Sequence, residues 1–577
     1  MRVKSRRSHG RGGALVRVAT AASAAASAAA AAAASGPYYV LDPQSFAPLL
    51  RADLAWAAAS IPLFEASDAN LTFAYYFRWR SLRSHIHATN ASDPGLQWVI
   101  TEFSPPVPWA GSNNTIPCAA GHQLTDARWL RDPAVAESYT RWWLSGLPNI
   151  RRNYYSWLMT AARRRLEVAG AAAAMPGISA LLPNATAQFR AFANGSSPGG
   201  SAFVASSNCL YNVDGTEGQE RAISGAGCKP IANSLMYGEA RALAELCGAA
   251  GDAGCAAEFG AEAARWRERA LGLWNSQLGS FDTLKAVPPN ASAPPPPPPP
   301  FAGVRELGSL SSPWLFKVVQ ADNAAAFAQG WAAVFDAEGF LAPHGLRTAE
   351  RRHPKFNCPT PGCSGGCYWS GPTWPFESSK LLRAAVDVLQ DAAVAAQVPQ
   401  LNRSGLALLL RQFTAMHLPG AWTITNWTKA EPNATADPAA LVSEGLVLDG
   451  LGLAWIAELG CADDDPPRYT DVPEHGYLYE HSSFVDLVIS GVAGLAPAAW
   501  SAGAAPPSLR VLPLQPSDEA LSWWCLDGAL VGGRIVSVLW DLDGSRYGRG
   551  RGLSVFLDGV LVAQANSTQG PSLEVLL

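Results

Sequence analysis

Leu235 to Cys247 (LMYGEARALAELC) and Ala256 to Trp274 (AAEFGAEAARWRERALGLW) both repeat apolar residues three and four apart, with a Gly/Asp turn, GAAGDAG, between them. Two amphipathic helices joined by so short a turn bury their apolar stripes against each other and against further helices. Ser378 to Gln390 and Ser404 to His417 repeat the arrangement, so the recurrent unit between about 40 and 495 is a helical hairpin. The predicted fold class is mainly α: stacked antiparallel hairpins of this kind can close into a toroid. Its funnel is lined by the joining loops, which is where functional residues are expected.

Two stretches interrupt the pattern. Pro288 to Pro300 ends in seven consecutive prolines and reads as a polyproline II surface loop. Asn426 to Pro438 has little periodicity. From Leu509 the chain changes to short runs between Gly/Asp turns (LRVLPL, RIVSVLWDLDG, GLSVFLDGVLVAQ), the signature of a small β-sandwich. The expected organisation is a targeting leader over 1–36, a helical toroid over 37–497 with the Pro-rich insertion at 288–300, and a C-terminal β-sandwich over 498–577.

The leader carries Arg2, Lys4, Arg6, Arg7, Arg11 and Arg17 with no acid before Asp42, then an Ala-rich tract from Ala19 to Ser35. A secretory signal and an organellar transit peptide both fit this composition. The asparagines decide. Ten of nineteen stand in N-x-[ST] (70, 90, 113, 184, 194, 290, 402, 426, 433 and 566), where chance would give about 2. The reading is therefore an N-glycosylated protein of the secretory pathway, secreted or held in an ER or vacuolar lumen. The ten cysteines agree, with Cys209/Cys228, Cys247/Cys255 and the cluster Cys358, Cys363, Cys367 spaced as local staples. A net charge of -4 with no long basic run excludes the electrostatic footprint of a nucleic-acid binder. No window after the leader is long and apolar enough for a membrane span. Oligomeric state is left open.

Twenty-one Trp and fourteen Tyr suit the stacking of sugar faces, and equally the filling of a core. Breaking an acetal needs one carboxylic acid to protonate the leaving oxygen and a second carboxylate to activate water or attack. Asp214, in the polar loop Tyr211-Asn-Val-Asp-Gly-Thr-Glu217, is the first candidate, although Asp before Gly is also ordinary turn chemistry. Glu458, in Ala454-Trp-Ile-Ala-Glu-Leu459, is the second; its apolar approach would raise its proton affinity by desolvation. Glu431 and Glu444 are rivals for that role. Two aromatic clusters accompany them, Tyr75-Tyr-Phe-Arg-Trp79 and Trp369-Ser-Gly-Pro-Thr-Trp374. Carboxylates alone can do this chemistry, so no cofactor or metal is called for. The substrate expected is a carbohydrate.

Six ordered blocks, YYFRWRSLRSHI (75–86), WVITEFSPPVPWAG (98–111), DGTEGQERAISGAGCKPIANSLMYGEA (214–240), GFLAPHGLRTAERRHP (339–354), YWSGPTWPFESSK (368–380) and YLYEHSSFVDLVISGVAGLAP (477–497), resemble the six-hairpin glycosidases related to glycoside hydrolase family 63. The likeness is strongest to the mannosylglycerate hydrolase-like branch. It implies an (α/α)6 toroid and an inverting glycosidase acting on α-linked gluco- or manno-configured substrates, with Asp214 as general acid and Glu458 as general base. It also implies that Tyr76, Arg78, Trp79, Tyr368, Trp369 and Trp374 surround the sugar, and that Gln123 and Asn233 contact its hydroxyls. Inversion demands carboxyls about 6.5 to 9.5 Å apart, leaving room for water. A secreted glycan-binding protein that has lost catalysis on the same toroid is the alternative.

Overall fold

A computed structural model describes residues 37–104, 110–146, 154–197, 199–286, 300–358, 369–418, 478–497, 508–514, 521–566 and 572–577, together with short strands at 16–18, 423–424, 448–449, 452–453, 460–461 and 468–469. The chain is mainly α-helical with several small separate sheets. The helical hairpins read from the sequence are present. Pro230–Ala249 opens on a proline at its first turn, where the missing N–H costs nothing. Ala253–Leu271 follows, its first turn capped by Asp252 accepting from the Cys255 N–H at 2.9 Å. Phe259, Ala263, Trp266 and Ala270 form its buried stripe. Burying Trp266 or Phe259 contributes about 1.5–3 kcal/mol each. The Cys247–Cys255 disulfide joins the two helices across their turn. Pro375–Gln390 and Arg403–Ala415 form the later pair, the second capped by Asn402 accepting from the Gly405 N–H at 2.9 Å.

Polar ties inside the helical body fix these elements relative to one another. Arg128, just past helix Pro117–Ala127, donates to Asp486 at 2.6 Å; Arg383 reaches Asp486 at 3.1 Å and Asp387 at 2.6 Å; Arg164, on helix Leu158–Ala169, reaches Asp387 at 3.0 Å. Each charge in this buried chain has an opposite partner, which is the condition for tolerating ions in a low dielectric.

The five-stranded antiparallel sheet runs Leu63–Ala66, Trp523–Val531, Arg534–Asp541, Gly552–Leu557, Val560–Ala565. Its first strand comes from the N-terminal part of the chain, in the register Leu63 to Asp527. A second sheet orders Val16–Val18, Leu573–Leu576, Ser508–Val511 and Leu495–Pro497. Asp527 accepts from the N–H groups of Tyr39, Val40 and Leu41 at 3.0, 2.6 and 2.7 Å, so residues ahead of the helical body are also tied to the sheet. Gly528 beside it has φ +81°, and an added Cβ would lie 2.7 Å from the Tyr38 ring.

Cys209–Cys228 is bonded as its spacing suggested, and Cys358 is disulfide-bonded as well; Cys118 and Cys525 are free and buried, so the even cysteine count does not mean full pairing. Among the described residues no helix is long and apolar enough to cross a membrane. The polyproline stretch at 288–299 and the segment Asn426 to Pro438 lie outside the described residues.

Candidate functional site

The loop carrying Asp214 is closed at its base. Strand Cys209–Asn212 pairs with Gly227–Cys228, and the disulfide between Cys209 and Cys228 locks the two ends. Asn233 reinforces this base: its Oδ1 accepts from the Leu210 N–H at 2.9 Å, and its Nδ2 donates to the carbonyls of Leu210 (3.0 Å) and Lys229 (2.9 Å). Its amide is thus spent on backbone and positions the loop.

Asp214 stands out of this loop with its side chain 32% exposed, accepting from the Arg221 N–H at 2.8 Å and from Lys229 Nζ at 3.3 Å. Glu217, three residues on, is buried and pairs closely with Lys229. Burial raises the Glu217 proton affinity, and the Lys229 charge opposes that rise. At the far end of the loop Ser224 donates to Glu306 from its backbone N–H (2.9 Å) and its hydroxyl (2.8 Å). The Glu306 carboxyl is pushed up to about 7 by burial, against the pull of Lys229.

An aromatic wall stands against the loop. Trp369 stacks on Trp374 at 3.9 Å between ring centres, and Trp374 on Phe376 at 4.4 Å. The Trp369 N–H donates to the Glu220 carbonyl at 3.1 Å and its carbonyl accepts from Gln219 Nε2 at 3.3 Å, so loop and wall are hydrogen-bonded. Gly218, at φ +98°, brings the loop backbone close; a Cβ there would lie 3.4 Å from the Trp374 ring. On another side Tyr479 stacks on Phe103 at 4.7 Å and His481 on Tyr479 at 3.5 Å, with His481 6.3 Å from Trp374. His481 Nδ1 lies 2.8 Å from the Tyr479 carbonyl, which fixes the ring as an Nδ1–H donor. Burial lowers its proton affinity well below the ordinary histidine value, so the ring is neutral.

Arg78 and Gln123 hold the segment that carries His481. Arg78 Nη2 donates to Glu480 Oε1 at 2.8 Å and Nη1 to Ser482 Oγ at 3.0 Å. Gln123 Nε2 donates to the carbonyls of Glu480 (2.7 Å) and Thr101 (2.9 Å), while its Oε1 accepts from Tyr139 at 2.6 Å. Tyr76 and Trp79 turn into the main core instead. Tyr76 accepts from the Phe64 N–H at 3.1 Å and packs on Phe46, and Trp79 meets Trp56 and Tyr75 edge-on. The loop that carries Asp214 is therefore joined through residues 218–220 to Trp369 and Trp374, both buried, while Asn233 ties the base of the loop and Arg78 and Gln123 hold the segment at 480–482. Glu458, its rivals Glu431 and Glu444, and Tyr368 lie outside the described residues. Sequence reading did not single out Glu217, Lys229, Phe376, Tyr479 or His481; their one signal was membership of the same ordered blocks. Among the described residues no group of His, Cys, Asp and Glu could hold a metal ion.

A glycoside hydrolase needs two carboxylic groups, and Asp214, exposed on a loop tied to a helical frame, is one candidate among the described residues. Residues 112–421, more than half the chain, match the family of the mannosylglycerate hydrolase MGH1-like glycoside hydrolase domain, and the chain belongs to that family. A solved structure called "Sialidase" superposes with a TM-score of 0.72 at 26% identity, over 93% of this chain and 43% of that one. The chain thus spans less than half the length of that protein. The family 63 mannosylglycerate hydrolase from Thermus thermophilus, solved in complex with glucose, gives a TM-score of 0.45 at 12% identity, covering 72% of this chain and 98% of its own. No curated protein matches the chain in sequence.

Proposed function

We propose that this protein is an inverting glycosidase of α-linked gluco- or manno-configured carbohydrates, with Asp214 as general acid and Glu458 as general base. The observation that carries the reading is the exposed Asp214 carboxyl on a disulfide-closed loop that is hydrogen-bonded to the buried Trp369–Trp374–Phe376 stack, because it holds a solvent-accessible carboxyl on a rigid support. The family match supports hydrolysis as the reaction. The helices close as a six-hairpin toroid, and the strands of the C-terminal part form a β-sandwich that caps it.

The protein travels the secretory route and is N-glycosylated. Seven of the acceptor asparagines (70, 90, 113, 184, 194, 402 and 566) fall among the described residues, and every one is exposed, as a glycan requires. The buried asparagines Asn212, Asn233 and Asn275 are in no acceptor triplet.

The test is incubation with aryl α-glucosides, aryl α-mannosides and short α-linked oligosaccharides, following released sugar and the anomer first formed by NMR. Wild type is expected to release the inverted anomer. Asp214→Asn and Glu458→Gln are each expected to lower turnover about 10²–10⁴-fold with little change in thermal midpoint. Full activity in both variants sinks the assignment, and saturable binding without product from any substrate favours a glycan-binding protein.

A further inference from the structure

Lys229 is in a place where a lysine is expensive. It is 1% exposed, although an ammonium belongs in water. It also occupies the N-cap of helix Pro230–Ala249, where the backbone N–H groups and the macrodipole repel a cation, and its side chain makes no capping bond. Residues that break local rules without a packing gain are found where function requires them.

Three carboxyls surround this cation. Glu217 pairs with it closely, Asp214 Oδ1 lies 3.3 Å away, and Glu306 acts on it from the far end of the loop. Lys285 also faces the cluster, its ammonium donating to the carbonyls of Ser224 (2.6 Å) and Ala226 (2.7 Å). Burial works against the charge on Lys229, but the charges of Glu217, Glu306 and Asp214 raise its proton affinity above the ordinary lysine value. The ammonium is therefore permanent, and it stands between a fully buried carboxylate and the exposed carboxyl proposed to donate the proton.

We propose that Lys229 is the positioning residue of the general acid: bridging Glu217 to Asp214, it fixes where the Asp214 carboxyl points and sets the charge that stands beside it. This rests on the reading of Asp214 as the acid. Lys229 does not touch substrate in this scheme. Its backbone is set by the Cys209–Cys228 disulfide and by Asn233, and its side chain carries that fixed position back to the loop.

The charges predict opposite effects on the pH at which activity is lost as the acid deprotonates. Lys229→Met removes a cation beside Asp214, so that limb of the kcat profile moves to higher pH. Glu217→Gln removes an anion, so the limb moves to lower pH. Lys229→Arg keeps the charge and holds the limb. The experiment measures kcat, KM and full pH profiles for these three variants and Asp214→Asn, with the aryl glycoside that wild type cleaves fastest. Lys229→Met is expected to lower kcat about 10²-fold with KM changed about 3-fold or less, and Arg to restore most of the loss. A limb that stays at the wild-type pH in Glu217→Gln, or in a folded Lys229→Met, overturns the proposal. Glu217→Gln decides the matter alone if the Met variant fails to fold. Wild-type turnover in Asp214→Asn removes the acid assignment and this proposal together; an inactive Asp214→Asn beside an unshifted limb removes this proposal only.

Discussion

Arg78 shows how much one side chain can be asked to hold. Its guanidinium is buried and meets Glu480, Ser482 and, at 3.9 Å, Asp126. Glu480 also accepts from Ser81 at 2.7 Å, so the carboxylate is held by two residues three apart on one face of helix Ala69–His85. Removing the cation leaves that carboxylate buried and uncompensated, which costs about 3–5 kcal/mol in comparable pairs. Arg78→Met is accordingly expected to lose about 3–5 kcal/mol in urea unfolding, and Arg78→Met/Glu480→Gln to recover part of it. A single-variant loss under about 1 kcal/mol would mean that water or another cation reaches Glu480. The same helix shows why residue roles resist reading. Ala74, Tyr75, Tyr76, Phe77, Arg78 and Trp79 are all buried, so no helical period separates the residues facing the core from those facing the site. Tyr76 and Trp79 go one way, Arg78 and Phe77 the other, and only the neighbours decide.

At the scale of elements, helices were legible where they carry a regular stripe or a cap, as Ala253–Leu271 and Arg403–Ala415 do; Pro117–Ala127, buried at every position and without a side-chain cap, offers neither signal. Strand Trp523–Val531 was not, because a bulge between Leu526 and Ala529 breaks its alternation at Asp527-Gly528, and its partner Leu63–Ala66 lies far away in the chain. In the site, the Asp214 loop was legible as a polar segment ahead of a helix. The pairing of Glu217 with Lys229 was not, since burial of a charge depends on what folds over it. Two of the disulfides separate stability from function. Cys247–Cys255 closes 8 residues and Cys209–Cys228 closes 19, which by loop entropy stabilise by about 2.5 and 3 kcal/mol. Replacing either pair by serine is expected to lower the thermal midpoint by similar amounts. Only loss of Cys209–Cys228 should also lower turnover, because it closes the acid loop, whereas Cys247–Cys255 joins helix ends. Equal activity loss in both variants would show that the staple at the loop base has no special part in the site.

The whole molecule buries ionisable groups of opposite tendency. Burial pushes the carboxyls of Asp126, Glu239 and Glu306 up to about 7, each against some hydrogen bonding or opposite charge. Burial also lowers histidines, His417 to about 3, His122 and His481 well below their ordinary value, and His353 in the same direction. Between the ordinary values of glutamate, 4.5, and histidine, 6.5, the folded carboxyls hold protons that the unfolded chain has lost, so their contribution falls as pH rises. Over the same interval the unfolded histidines hold protons that the folded ones refuse, so their contribution rises with pH. The two slopes oppose one another. Glu217 and Asp282, also raised by burial, tilt the balance slightly towards acid. Below 4.5 the carboxyls are protonated in both states and their slope ends, while the histidine slope continues. Asp486, held at about 2 by Arg128 and Arg383 despite its burial, and Asp387, lowered likewise, then add to the loss. Stability should therefore be nearly level from pH 4.5 to 6.5 and fall steeply below it. His417→Gln removes one of the opposing histidines. Its stability at pH 4.5 should exceed that at pH 6.5 by about 2–3 kcal/mol more than in wild type, one proton over two pH units. Urea unfolding at the two pH values measures this directly, and a variant as level as wild type would show that His417 takes up its proton without unfolding.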